Sequence, residues 1–584
     1  MNRWFSILMI CSVVGIPNLA AQIRNNYLAS SVTGQLALTK TVNPILGANR
    51  LLGASFNSIP RPEISKIVTK LPHPSMPRLF GATRQLSLPQ IQSLPVILSG
   101  GFGFSGLTHA DQRLANSGNQ FSVEPPNPSI AVANNFILEG VNNAVRVYST
   151  SGAPLIKTIS SNELFGVAPA INRTTGANGV FPTDMRVLFD QDTSRWFVLQ
   201  RAQDNDIDGN PLNSSHLYVA VSQTSDPTGI YNIYVMDTSD VQNSGCPCLW
   251  DYPQIGSDHY GIYISANEYN TSSLNFVEAT ILAVSKSALA SGASAPAAYR
   301  FTIPRSTGYE FAIQPATTPP GASYFIANGG VEYFVSSQSS FASDNNLAVW
   351  ALSNTASLQS PTASLLLTQT TVGTLNYNYP DVAVQRPGSL PYGFSLDPPG
   401  KLAFIDGGLD SRVLSVSYAG GRLFATLATQ LTDETGRGVV GGAYFVLSPS
   451  LRSGQLLTSV IKQGYLLVKN NHILRPAVAV NAQGRGAIAF TLVGPDYFPS
   501  TAFVSIDLTA AVPTVIQVAA SGALPEDGFT GYQGGGGSGL ARWGDYSTAV
   551  TGTDGSIWMV SEYIPDLPRT TLANWGTFVS HLAQ

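Results

Sequence analysis

From about residue 121 onward the chain is a succession of short apolar runs separated by tight polar turns. One unit recurs: a Pro or an acidic residue, a short apolar run, a polar turn, then a second apolar run. It occupies residues 128–133 with 136–141, 183–189 with 195–199, 251–256 with 261–265, and 379–384. It returns at 475–480 with 486–490 and at 545–550 with 556–560, and more weakly at 310–313 with 323–327. Runs of Val, Ile, Phe and Tyr bounded by Gly, Asn and Asp read as strands. Further strand-like runs, such as 216–221 and 230–236, lie between the copies. Four strands per unit, repeated with few helices, predict an all-β fold: a single β-propeller of four-stranded blades. Seven blades fit the copies best; six or eight are the other counts allowed. Stacking small sheets around an axis covers their apolar faces without leaving long open edges. An array of β-sandwiches would call for linkers between domains and would not explain why one strand pair recurs. The last unit shows about three strands, so its fourth is expected from the N-terminal side, from Phe121 to Val123 or nearby.

The first 120 residues differ. Asn2 and Arg3 precede an apolar stretch over residues 4–16, and Leu19, Ala20 and Ala21 follow. This is the layout of a secretory signal over residues 1–21. Pro17 and Asn18 end the run short of the roughly 20 apolar residues of a membrane span. Residues 22–120 form an irregular segment punctuated by Pro72, Pro74, Pro77, Pro89 and Pro95. Such spacing prevents long helices and central strands. An ordered wrap along the neighbouring domain is expected, with a removable pro-region as the alternative. The propeller domain is assigned to residues 121–584.

Charge narrows the class. Lys+Arg number 31 and Asp+Glu 35, a formal net charge of −4, and no block of like charge occurs. A nucleic-acid binder needs clustered bases to neutralise phosphates, so that class is disfavoured. Charged residues are 11% of the chain, under half the usual proportion of about 25%, which suits an exported β protein with a neutral polar surface. No stretch after the signal is long and apolar enough to span a bilayer.

Several segments carry a resemblance: residues 107–126, residues 144–152, residues 222–229, Cys246 to Cys248 with Asp251 to Pro253, and residues 542–547. Over roughly residues 100 to 584 the chain resembles a family of exported bacterial proteins with no established activity. The resemblance implies secretion and a propeller of the sialidase-like or repeat-bearing kind. It implies no catalytic residue.

Candidate chemistry falls in three places. Asp204, Asp206 and Asp208, followed by Gly209, match the first half of a calcium loop, where alternate carboxylates converge on one hard cation. Leu212 and Ser215 stand where further acidic ligands belong, so any structural calcium would be completed by water or carbonyls; Asp, Asn and Gly are also simple turn formers. Cys246 and Cys248, the two cysteines after the signal, flank Pro247. They suit a tight local disulfide in an oxidising compartment, with free buried thiols or half of a metal site as alternatives. The third place is the ring of residues at the start of each innermost strand, which stacked blades would gather at one mouth of a central channel. That ring holds Asn127, Asp184, Asp251, Glu310, Asp381, Arg475 and Asp545, with Arg186, Tyr252, Arg542, Tyr546 and Glu562 nearby. Arginines there can grip a carboxylate bidentately, and neighbouring carboxylates can have split pKa values. A polar ladder that only ties blades together is the competing reading.

Beside the ring, the glycine-rich stretch 531–539 suits either a lid over a site or a slack connection. The expected function is that of a secreted binding or interaction module for an extracellular glycan or protein. The alternative is a sialidase-like glycoside hydrolase at the channel mouth, using Arg475, Arg542, Tyr252 or Tyr546, and Asp251 or Asp545. Against it, the aspartate-box repeat survives only as a damaged copy at residues 553–558, and no GxSxG elbow is present.

Overall fold

The computed structural model describes residues 24–28, 36–43, 91–100 and 102–583, the last with interruptions at 306–307, 339–342, 391, 393–401, 409, 508–512 and 533–538. Residues 1–21, expected to be a secretory signal, and most of the Pro-rich segment lie outside the described residues. Among the described residues no helix is long and apolar enough to cross a membrane.

Consecutive antiparallel strands make one small sheet after another. The first is Ser129–Ala133, Phe136–Val141, Ala144–Ser149 and Ile159–Ser160. The second runs from Phe181–Asp190 through Arg195–Asn205 and Pro211–Ser222 to Tyr231–Asp237, and the third from Cys248–Ser257 to Ala298–Pro304. Sheets beginning at Gln314–Pro315, Val413–Ala419, His472–Val480 and Thr548–Thr551 follow in order. Each first strand packs against the first strand of the next sheet, and Thr548–Thr551 returns to Ser129–Ala133, so the inner strands close a ring. That is the architecture of a β-propeller.

Apolar layers between neighbouring sheets hold the ring. On the strand Arg195–Asn205, Trp196 and Val198 face the first sheet, while Phe197 and Leu199 face the third. Alternate side chains point to opposite faces, and here both faces are covered. A middle strand therefore reads as continuously apolar rather than alternating. The last layer joins Ile130, Val132 and Tyr148 of the first sheet to Trp558, Val560 and Val579 of the last.

The N-terminal segment supplies strands rather than only an irregular wrap. Gly103–Thr108 pairs antiparallel with Gly576–Leu582 and completes the final sheet, upstream of the expected Phe121. Arg24–Leu28, Ala37–Val42 and Val96–Leu98 add outer strands to the fourth, second and sixth sheets.

Two expected repeats are not placed as read. Residues 310–313 and 323–327 are not strands, the fourth sheet instead pairing Gln314–Pro315 with Val331–Ser337. Residues 379–384 are not a propeller strand. Ala383–Val384 pairs with Phe404–Ile405, which runs parallel to Leu540–Ala541, in a separate three-stranded sheet. The true inner strand of the fifth sheet is Val413–Ala419, introduced by Asp410, Ser411 and Arg412 and followed by the turn at Gly420 and Gly421. The extra sheet belongs to a cap whose apolar core joins Ala383, Ile405, Trp543 and Trp575 to Leu414, Leu474 and Val141 at the ends of the propeller strands. The cap thus lies over one side of one mouth.

Candidate functional site

Inner strands begin with an unusual backbone. Asn127, Asp184, Tyr252, Ala312 and Arg475 all have positive φ, between 48° and 58°. A residue with a Cβ in the left-handed region is uncommon and is held there by its surroundings. Pairing with the second strand shifts register beside three of them, between Leu199 and Arg201, Asp251 and Gln254, and Leu474 and Ala477. Such bulges re-aim side chains. The result is a set of polar groups turned toward the mouth.

Those groups form one network. Asn127 Nδ2 donates to Asp184 Oδ1 at 3.0 Å and to Asp545 Oδ2 at 2.6 Å, and its Oδ1 accepts the Asp545 N–H. Arg201 Nε reaches Asp184 Oδ2 at 2.8 Å, and another guanidinium nitrogen lies 3.3 Å from Asp251 Oδ1. The side chains of Arg201 and Asp184 are 6% and 8% exposed, whereas that of Asp251 is 32% exposed. Burial pushes the Asp251 carboxyl above its usual range; Arg201 pulls it down, and Asp184 and Asp545 raise it again. Arg542 lies 3.7 Å from Asp545 and is 27% exposed. Asp251 and Arg542 are therefore the two members of the network that meet solvent.

Below them the channel is tightly filled. Arg186 stacks 3.8 Å over the Tyr546 ring and donates to Gln254 Oε1. Tyr546 is buried, and its hydroxyl donates to the Met185 carbonyl. Burial pushes the Tyr252 hydroxyl up to about 12, and among the described residues this oxygen has no hydrogen-bond partner. The channel cavity, bounded by Arg186, Gln314, Ser415 and Thr548, holds about 100 Å³. Small-molecule pockets start near about 300 Å³, so this space suits a few waters.

Other expected members are placed differently. Asp381 is exposed on the cap, beside the three-stranded sheet, because residues 379–384 are not an inner strand; Asp410 and Arg412 occupy the equivalent position. Arg412 binds Asp410 at 2.6 Å and stacks 4.5 Å from the Tyr252 ring. Arg475 is spent on the carbonyls of Gly544 and Trp543 and on Asp406 at 3.1 Å. Glu562 is buried beneath the mouth, accepts the Gly544 N–H at 2.9 Å, and has its carboxyl raised by burial. Glu310 is buried and accepts the Gly308 N–H. Sequence reasoning missed Arg201, which lies in the polar second half of Arg195–Asn205, between Gln200 and Gln203, outside the repeated position.

The calcium expectation meets a different geometry. Asp204 accepts from Ser214 and contacts His216, and Asp206 caps its own turn through the N–H groups of Asp208 and Asn210. Asp204, Asp206 and Asp208 do not form a group with ligand atoms close enough to share an ion. Cys246 and Cys248 are joined as a disulfide at the start of the third sheet. Residues 533–538 of the glycine-rich stretch lie outside the described residues.

No protein-family model matches the chain. No curated protein matches it either. Among solved structures it is similar to a protein of unknown function from Dyadobacter fermentans, with TM-score 0.32 and 9% identity over 69% of this chain and 95% of that one. It is similar to the phage phi92 endosialidase, with TM-score 0.32 and 11% identity over 84% of this chain and 69% of that one. A Trypanosoma rangeli sialidase in complex with sialic acid gives TM-score 0.29 and 10% identity over 68% of this chain and 54% of that one. Likenesses this weak carry no argument about function, which rests on the site itself.

Proposed function

We propose that this protein is a secreted, seven-bladed β-propeller that binds an extracellular glycan at the channel mouth, around Asp251 and Arg542. One observation carries the reading: Asp251 presents a carboxyl to solvent while buried Arg201 fixes it in place. Arg542, partly exposed and 3.7 Å from Asp545 of the same network, adds a guanidinium. An acceptor and a planar donor held rigidly suit the hydroxyl pairs of a sugar ring. Pre-organisation of this kind lowers the entropic cost of binding. Exposed Tyr379 and Phe404 on the cap add aromatic surface for a larger glycan. The local disulfide and the N-terminal signal support export to an oxidising compartment.

The hydrolase alternative is weaker. Arg201, Arg412 and Arg475 are each committed to a protein carboxylate, so they do not form a cluster open to a substrate acid. One feature favours it: the raised Asp251 carboxyl beside Asp184 and Asp545 is the kind of pair that divides acid and base roles. A glycan array probed with parent, Asp251→Asn and Arg542→Ala, run beside fluorogenic glycosides, tests both. Binding by the parent that both variants lose, without turnover, is the expected result. Turnover by the parent that Asp251→Asn abolishes would replace binding with hydrolysis, and no binding to any glycan would remove the proposal.

A further inference from the structure

The disulfide lies on the third sheet with an unusual neighbour. Cys246 Sγ, Cys248 Sγ and a carboxylate oxygen of Glu268 all lie within 4.8 Å of one another. The register explains the meeting. Cys248 and Trp250 share one face of their strand, and their cross-strand partners are Asn270 and Glu268. Glu268 is therefore diagonal to Cys248, within reach of a long side chain.

Glu268 is the odd member of its charge cluster. The Arg300 guanidinium contacts Glu268, lies 3.0 Å from Asp240 and 3.6 Å from Glu278, and sits over Trp250. Three carboxyl groups face one cation, so the group excluded most completely from water is the one that keeps its proton. The Glu268 side chain is 0% exposed, against 20% for Asp240 and 12% for Glu278. Its Oε2 is buried without a hydrogen-bond partner among the described residues. Consistent with this, burial, then Glu278 and Asp240, push its carboxyl up to about 7 against the pull of Arg300. The sulfurs are placed unequally as well: Cys248 is fully buried, whereas Cys246 is partly exposed.

We propose that Cys246–Cys248 is a redox-active disulfide that exchanges with a small external thiol, with Glu268 as the acid that protonates the departing Cys248 sulfur. The external thiolate attacks the accessible Cys246 Sγ. The Sγ–Sγ bond breaks, its electron pair goes to Cys248 Sγ, and that sulfur takes the Glu268 proton. A mixed disulfide on Cys246, a Cys248 thiol and a Glu268 carboxylate result. A second external thiolate attacks the external sulfur of the mixed disulfide, and Cys246 leaves as a thiolate. Protonation of Cys246 and Glu268 from solvent completes the balance: one protein disulfide and two thiols become one protein dithiol and one external disulfide. Leaving-group protonation matters because exchange depends on the thiol that departs as well as on the one that attacks.

The test uses the full folded chain with glutathione as the thiol, counting protein thiols by mass-tagging and following the fold by near-ultraviolet circular dichroism. Millimolar glutathione is expected to release two thiols while the near-ultraviolet signal stays. Divided by the concentration of glutathione thiolate, the parent rate is expected to fall as the pH rises through about 7, where Glu268 loses its proton. Glu268→Gln should flatten that profile and slow the reaction below pH 7 by about a hundredfold, the low end of general-acid effects. Glu278→Gln, which changes the same cluster away from the sulfurs, should keep the fall. The proposal is overturned if the folded protein resists glutathione while the unfolded chain is reduced, if reduction abolishes the near-ultraviolet signal, or if the parent rate per thiolate is independent of pH. Because the parent profile decides by itself, failure of Glu268→Gln to fold leaves the test intact.

Discussion

Asn127, just ahead of the first inner strand, and Asp545, just ahead of the last, hold each other twice: the Asn127 amide donates to the Asp545 carboxylate at 2.6 Å and accepts the Asp545 N–H at 2.8 Å. The same amide donates to Asp184 in the second sheet. One side chain thus stitches three consecutive sheets across the point where the ring closes. Asn127→Ala removes three hydrogen bonds and leaves two buried carboxylates underpaired. A loss of about 3 kcal/mol is expected, since an unsatisfied buried group costs about 1–3 kcal/mol. Urea unfolding followed by tryptophan fluorescence measures it. A loss below about 1 kcal/mol would mean that closure depends on the apolar layers alone.

Arg201 extends the same network from the second sheet to the third. It neutralises Asp184 and Asp251 from a side chain only 6% exposed. Removing one partner of a buried pair leaves an uncompensated charge, at about 3–5 kcal/mol. Arg201→Met should therefore destabilise strongly. Asp251→Asn, whose carboxyl is partly solvated and already raised by burial, should cost much less while abolishing ligand binding. Thermal denaturation of the two variants beside glycan binding separates these roles. Equal destabilisation by both would assign Asp251 to the scaffold.

The fold was legible because propeller physics repeats one problem along the chain. Each strand pair covered on both faces needs apolar residues at successive positions, as in residues 196–199, and each tight turn needs Gly, Asn or Asp. The fifth sheet was hidden for a specific reason. Tyr379 to Val384 imitates the repeat, with Pro380 and Asp381 ahead of alternating apolar residues, yet it pairs into the cap. The real strand, Val413–Ala419, follows Asp410, Ser411 and Arg412 and carries Ser415 and Ser417 among its apolar residues, so it does not stand out as a copy of the repeat. The site was half legible. Residue types at strand starts pointed to the mouth, but which carboxylates meet depends on left-handed residues and bulges at Asp184 and Tyr252. No hydrophobic pattern encodes those, and Arg201 comes from the second strand, outside the repeated position.

Buried carboxyls set the pH response. Burial raises Glu124, Glu139, Glu332, Glu526 and Glu562 above their ordinary value, and Glu268 to about 7. A group whose folded value is raised gives stability that is full below its unfolded value near 4.5 and is lost as the pH rises through the folded value. His109 and His472 oppose this, because burial lowers them to about 3 and about 4, and their contribution is lost as the pH falls below 6.5. Asp251 and Glu278 are raised as well, His216 is raised and His581 lowered. The lowered aspartates are ionised in both states above pH 5, so the raised carboxyls prevail and the acid side is favoured. The melting temperature is expected to be higher at pH 5 than at pH 8. A scan with the disulfide intact checks this, and a higher value at pH 8 would place charged rather than neutral glutamates in the interior.

The cap is pinned to the propeller at Gly528, where there is no room for a side chain. A Cβ there would lie 1.4 Å from Glu124 Oε1 and 2.1 Å from its carboxyl carbon. Glu124 cannot retreat easily. Its other oxygen accepts the Thr530 N–H at 2.8 Å, and the buried Glu526 carboxyl lies against it. Gly528→Ala must therefore displace the carboxyl pair or lift residues 528–532 from the mouth. A cost of about 3 kcal/mol is expected, the upper end for overpacking. Double substitution with Glu124→Ala opens the space that the methyl group needs, so much of the loss from Gly528→Ala should not add to that of Glu124→Ala. Denaturant midpoints for the two single variants and the double variant form the cycle. Strict additivity would show that residues 528–532 are held to the propeller by something other than this contact.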